Sequence, residues 1–156
     1  MIILISVFIF IAVYFILPLV LPLFVKGVPK SKMPLVIAAV LYFISWFLPS
    51  PLIEGQNTFF ITHLVGGGIF TGFVWLYIKN FYNLKISPLA EIILLYLLVS
   101  ALGVTNELFE FVFTKLGIFS VNPFDTWWDL LANTLGAVIF WIGYRAYLIF
   151  KKNPVA

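Results

Sequence analysis

Ser100 to Ala137 reads S-A-L-G-V-T-N-E-L-F-E-F-V-F-T-K-L-G-I-F-S-V-N-P-F-D-T-W-W-D-L-L-A-N-T-L-G-A. Two long apolar segments meet in this stretch. The chain has only six Asp and Glu residues, and four of them, Glu107, Glu110, Asp125 and Asp129, fall inside it. Carboxylates at the edges of apolar runs are expensive in hydrocarbon, so their presence marks a candidate functional position.

Outside that window the composition has the same character. The 156 residues are 63% hydrophobic and 10% charged, against roughly 45–50% and about 25% in soluble domains. This is the composition of an integral membrane protein. Its length suits about five spans of roughly 20 residues and leaves no room for a separate soluble domain. The fold class is therefore all-α, because a helix satisfies its backbone polar groups within itself. The expected spans are about 1–25, 34–50, 58–78, 89–113 and 123–150. The absence of cysteine removes disulfides, thiol catalysis and thiolate metal sites. A formal charge of +3 comes from lysines and an arginine in short connections between apolar runs. That placement is a topology signal and implies no nucleic-acid partner.

Local signals support these boundaries. Ile2 to Leu17 carries no charge, and with no basic residue before it and no A-x-A-like site after it, it is expected to be a helix of the mature protein. Pro18 and Pro22 are expected to kink its last turns. Pro34 suits a first helical turn, and Pro49-Ser50-Pro51 punctuates the end of the second span. In the third span Gly66-Gly67-Gly68 and the Gly68-x-x-x-Gly72 pair allow close helix packing. Glu91, near the start of the fourth span, is expected to be a solvated interfacial residue. Asn122-Pro123-Phe124-Asp125 has the chemistry of a helix start. From Trp127/Trp128 to Tyr144/Tyr147 is about 20 residues, or ~30 Å, the separation of two aromatic belts.

Five spans place Lys26, Lys30, Lys32, Lys79, Lys85, Arg145, Lys151 and Lys152 on one side and Lys115 alone on the other. The positive-inside bias then predicts an outward N-terminus and a cytoplasmic C-terminus in a multi-pass plasma-membrane protein. On this topology His63, at the start of the third span, reaches the outer half of the membrane. So do Glu107 and Glu110 at the end of the fourth span, and Asp125 and Asp129 at the start of the fifth. Helical rise puts them within ~10 Å of the outer interface. Asn133 continues the Asp125–Asp129 line at i, i+4, and Glu107 and Glu110 share a face at i, i+3.

Four carboxylates in one low-dielectric pocket would have to share protons, pair with His63 or Lys115, or bind a cation. Three chemistries meet that condition. A divalent metal held by His63, Glu107, Glu110 and Asp129 could activate water against a lipid-linked ester or phosphate. Without metal, a carboxylic acid and His63 could serve as general acid and base. The cluster could instead relay protons or bind cations in transport. Structural roles compete with each of these. Asp125 also suits a helix cap, Asn133 suits interhelical hydrogen bonding, His63 could bond a backbone carbonyl, and Glu110 could sit among headgroups.

Asn106-Glu107-Leu108-Phe109-Glu110, followed by Asp129-Leu130-Leu131-Ala132-Asn133-Thr134-Leu135-Gly136-Ala137, resembles the E-x-x-Q … D-x-x-x-N-x-x-G-A signature of VanZ-like small membrane proteins. His63 resembles their H-F-x-x-[YG] element, and the resemblance covers about 58–141. Glu110 stands where that pattern has glutamine, and no arginine lies between Glu110 and Asp129. The E-x-x-E and D-x-x-x-D-x-x-x-N spacing is thus similar to a related, uncharacterised branch. The resemblance implies a cell-envelope protein with matched positions His63, Glu107, Glu110, Asp129, Asn133 and Gly136; family members are linked to glycopeptide resistance. The expected function is an outward-facing pocket that binds or processes a lipid-linked or amphiphilic ligand. There His63, Glu107, Glu110 and Asp129 would act as catalytic or metal-binding groups, and Asp125 and Asn133 as ligand contacts. The alternatives are a proton- or cation-coupled transporter and a non-catalytic assembly or binding protein.

Overall fold

The computed structural model describes residues 2–24, 26–27, 31–118 and 125–152. Five helices account for most of them. Helix α1 (residues 2–24) contains a π-helical stretch at Ala12–Ile16. Helix α2 is Met33–Ser45. Helix α3 is Phe60–Phe81 and is also π-helical, at Leu64–Ile69. Helix α4 is Pro88–Lys115 and α5 is Thr126–Lys152. The Asn122-Pro123-Phe124 helix start lies outside the described residues, and among these α5 begins at Thr126.

Among the described residues three helices, Ile3–Phe24, Phe60–Phe81 and Pro88–Lys115, are long and apolar enough to cross a membrane. Helix α2 ends at Ser45, short of the proline punctuation at Pro49, and its 13 residues span only ~20 Å. Helix α5 has the length, at 27 residues, but is less apolar. The exterior fits a lipid environment, since Leu4, Leu19, Leu23 and Phe24 on α1 are each at least 73% exposed.

Helices α2, α3 and α4 begin where side chains satisfy free N–H groups. Ser31 Oγ accepts from the Met33 N–H at 3.2 Å ahead of Pro34. Ser87 Oγ accepts from the Ala90 N–H at 3.2 Å with Pro88 in the first turn. Between α2 and α3, Leu52–Ile53 (β1) and Gln56–Asn57 (β2) pair antiparallel. Glu54 and Gly55, both at positive φ, make the turn between them, as a two-residue hairpin requires. Ser50 Oγ then accepts from the Ile61 N–H at 3.0 Å, and Asn57 Oδ1 from the Phe59 N–H at 3.0 Å, fixing the start of α3.

The core has two parts. Leu35 and Ala38 of α2 pack with Val74, Tyr77 and Phe81 of α3, covered by Tyr14, Leu17 and Leu21 of α1. Trp75 of α3, Leu95 and Val99 of α4 and Ala137 of α5 form the second cluster, lined by Phe140 and Trp141. Helices α3 and α5 run in the same direction and touch backbone to backbone. A Cβ added at Gly68 would lie 2.6 Å from Gly136 Cα, and one added at Gly136 would lie 2.9 Å from Gly68 Cα. Small residues allow that approach, and Gly72 does the same beneath the Phe140 ring.

Glu91 is not solvated, contrary to the expectation from its place near a helix end. It is 0% exposed, in contact with Lys79 of α3 and 3.6 Å from Arg145 of α5. Lys79 also lies over the Tyr144 ring at 5.0 Å. Neutralisation explains the burial: a carboxylate enters a low-dielectric interior when cations accompany it. This triad ties α3, α4 and α5 together at one end of the bundle.

Candidate functional site

The opposite end of the same three helices holds the polar cluster. The α3–α5 approach at Gly68 and Gly136 sets His63, five residues earlier on α3, beside Asp129, seven residues earlier on α5. His63 Nε2 lies 3.4 Å from Asp129 Oδ2. The π-helical turn beginning at Leu64 follows directly on His63; such turns locally re-aim side chains and occur often at functional sites.

Helix α4 runs the other way and brings its C-terminal part to this end. Glu107, Glu110 and Asp129 each offer one carboxylate oxygen, all within 4.8 Å of one another. Asp125 stands immediately before α5, and its charge acts on Glu107, Glu110 and Asp129. One site thus gathers His63 and all four carboxylates of the opening stretch. Asp129 is 2% exposed and Asp125 8%, whereas Glu107 and Glu110 are half-buried.

Asn133 lies one turn further along α5, 5% exposed and held between Gly67, where an added Cβ would collide with its Oδ1, and Gly103, where one would lie 3.3 Å from its Nδ2. Gly67 and Gly103 thus work as spacers for an amide. Lys115 does not join the carboxylates and sits over the Phe111 ring at 5.5 Å. Trp127 is 77% exposed, as an interfacial anchor would be.

Two polar contacts had no role assigned from sequence. Asn106 Nδ2 donates to Glu110 Oε1 at 2.7 Å, an i, i+4 pair on α4 that its spacing would have allowed. Thr126, the first residue of α5, faces Glu107; only the tertiary arrangement brings those two together.

The hydrogen bonds leave the cluster incomplete. Among the described residues, buried oxygens without a partner include Glu107 Oε1, Asp125 Oδ1, Asp129 Oδ1 and Asn133 Oδ1. Leaving such atoms unmatched costs about 1–3 kcal/mol each, more when charged. The ion pairs among the described residues offer the four acids of the cluster, Glu107, Glu110, Asp125 and Asp129, only His63, which pairs with Asp129. The arrangement is suited to a ligand that donates hydrogen bonds or carries positive charge.

Beside the cluster a cleft of about 230 Å³ runs between α4 and α5, lined by Tyr96, Val99, Ser100, Val104, Leu130 and Thr134. Tyr96 and Val104 are exposed on the outer surface of the bundle, so the cleft opens sideways. No family model, curated protein or solved structure matches the chain.

Proposed function

We propose that this chain is a VanZ-like, multi-pass envelope protein of the plasma membrane whose His63/carboxylate pocket binds or processes a lipid-linked or amphiphilic ligand. The observation that carries the proposal is the convergence of Glu107, Glu110 and Asp129 within 4.8 Å, with His63 on Asp129, inside an apolar bundle. A pocket of that kind holds the polar end of a ligand, and the lateral cleft at Ser100, Val104, Leu130 and Thr134 offers a place for an apolar chain. Positive-inside asymmetry supports an outward-facing site, with Lys79, Arg145, Lys151 and Lys152 at the other end of α3 and α5.

The apolar layer of Trp75, Leu95, Val99 and Ala137 between the pocket and the Lys79–Glu91–Arg145 triad speaks for a one-ended site over a transport pathway. Where the ligand is turned over, we assign His63 as the base, with Asp129 as the carboxylate that orients it.

Photo-crosslinking in liposomes tests this, using a long-chain alkyl amine that carries a diazirine in its chain. Labelling concentrated on α4 and α5 around residues 100–107 and 130–134, and lost in Asp129→Asn, is expected. Even labelling of all lipid-facing helices, identical in both proteins, would refute it.

A further inference from the structure

We propose that Glu107, Glu110 and Asp129 form a binding site for a hard divalent cation of the Mg2+ or Mn2+ class, with His63 orienting Asp129 and not ligating the ion. The inference rests on the reading of this pocket as a ligand site and names the inorganic part of it. Around an ion with bonds of about 2.1 Å, neighbouring oxygens stand ~3 Å apart and opposite ones ~4.2 Å. The three carboxylate oxygens, all within 4.8 Å of one another, stand close to that spacing.

A second observation comes from outside the trio. Asp125 is 8% exposed, its Oδ1 has no hydrogen-bond partner among the described residues, and its charge bears on all three acids. Glu107 Oε1 and Asp129 Oδ1 are also buried without partners. One divalent ion with its waters satisfies several such atoms at once and offsets two of the negative charges. The only lysine expected on that side, Lys115, is engaged with Phe111.

The donor set selects the ion. Three carboxylate oxygens without sulfur suit Mg2+, Mn2+ or Ca2+ better than soft metals. His63 Nε2 faces Asp129 Oδ2 at 3.4 Å, leaving Asp129 Oδ1 to turn toward the ion. That is an outer-shell position, which orients a ligand without bonding the metal. The ion has a further consequence for the ligand: an acidic pocket that repels a phosphate becomes one that accepts it.

The experiment is a Mn2+ titration followed by electron paramagnetic resonance, on metal-stripped protein in detergent with no lipid added. One Mn2+ per chain is expected, displaced by excess Mg2+. Binding should be at least about tenfold weaker in Glu107→Gln and in Asp129→Asn. Electron spin-echo spectra of the wild type should show no directly bonded 14N. Thermal unfolding of the wild type should rise with Mn2+ and not with K+, which requires no variant to fold. Absence of stoichiometric Mn2+ at ~1 mM, where a site of this class should fill, would overturn the proposal. So would equal binding in the variants, or a 14N coupling that makes His63 a ligand. Crosslinking to the alkyl amine without Mn2+ binding would remove the cation alone; Mn2+ binding without crosslinking would remove the amphiphile reading alone.

Discussion

Replacing Gly136 by alanine is expected to damage the bundle and the site together. The new Cβ would collide with the Leu64 carbonyl oxygen and lie 2.9 Å from Gly68 Cα. Carbon atoms pack at about 3.5–4.0 Å, so α3 must retreat by at least ~0.6 Å merely to clear Gly68. Both obstacles are backbone and have no rotamer to yield. His63 adjoins Leu64, and a retreat of that size along its line to Asp129 carries Nε2 from 3.4 Å to ~4.0 Å, beyond hydrogen-bonding reach. Overpacking of this kind costs about 1–3 kcal/mol. At roughly 2–4 °C per kcal/mol for a chain of this size, the midpoint should fall by about 2–12 °C.

The assay is thermal unfolding in detergent, read by tryptophan fluorescence, with Mn2+ binding as a second readout. Gly143→Ala is the control, because a Cβ there meets nothing within 4 Å and alanine is the better helix former. A Gly136→Ala midpoint within ~1 °C of wild type, with cation binding intact, would refute the argument that close backbone packing of α3 on α5 sets the pocket.

Glu91→Gln should destabilise by about 3 kcal/mol, because it leaves Lys79 and Arg145 facing each other without their counter-charge; a denaturation midpoint equal to wild type would contradict the clamp. Gly67→Ala would collide with the Asn133 amide, the end of a side chain and not backbone. Its loss in thermal midpoint should therefore be smaller than that of Gly136→Ala, and a larger loss would show that Asn133 cannot move. Single cysteines at Glu54 and Lys115 should react with an impermeant maleimide from outside the cell; labelling only from the cytoplasmic face would sink the outward-facing pocket.

How much of this was legible in sequence varies by element. The helical character of α1, α3 and α4 follows from apolar runs whose backbone has no water to bond, so composition suffices. The ends of α2 were harder. Pro49 and Pro51 suggest a longer segment, but the helix closes at Ser45, where Ser45 Oγ donates to the Tyr42 carbonyl at 2.7 Å. The acidic positions were visible because carboxylates are rare in such a chain.

Facing was not visible. A residue's depth is a local property, whereas the side of a helix it presents to its neighbours depends on which surfaces can approach. The close approach of Gly68 and Gly136 turns His63 toward Asp129, and the reversed course of α4 brings Glu107 to Thr126. Glu91 shows the same limit: position alone made it an interfacial carboxylate, and the helices that converge on it made it buried. Membrane character, helical class and the identity of the polar residues were written in the chain's composition and spacing. Convergence of four carboxylates and a histidine at one end, and of a buried ion triad at the other, came only from packing. The physical reason is that charges so far apart in sequence meet only when closely packed backbones have rotated their helices into register.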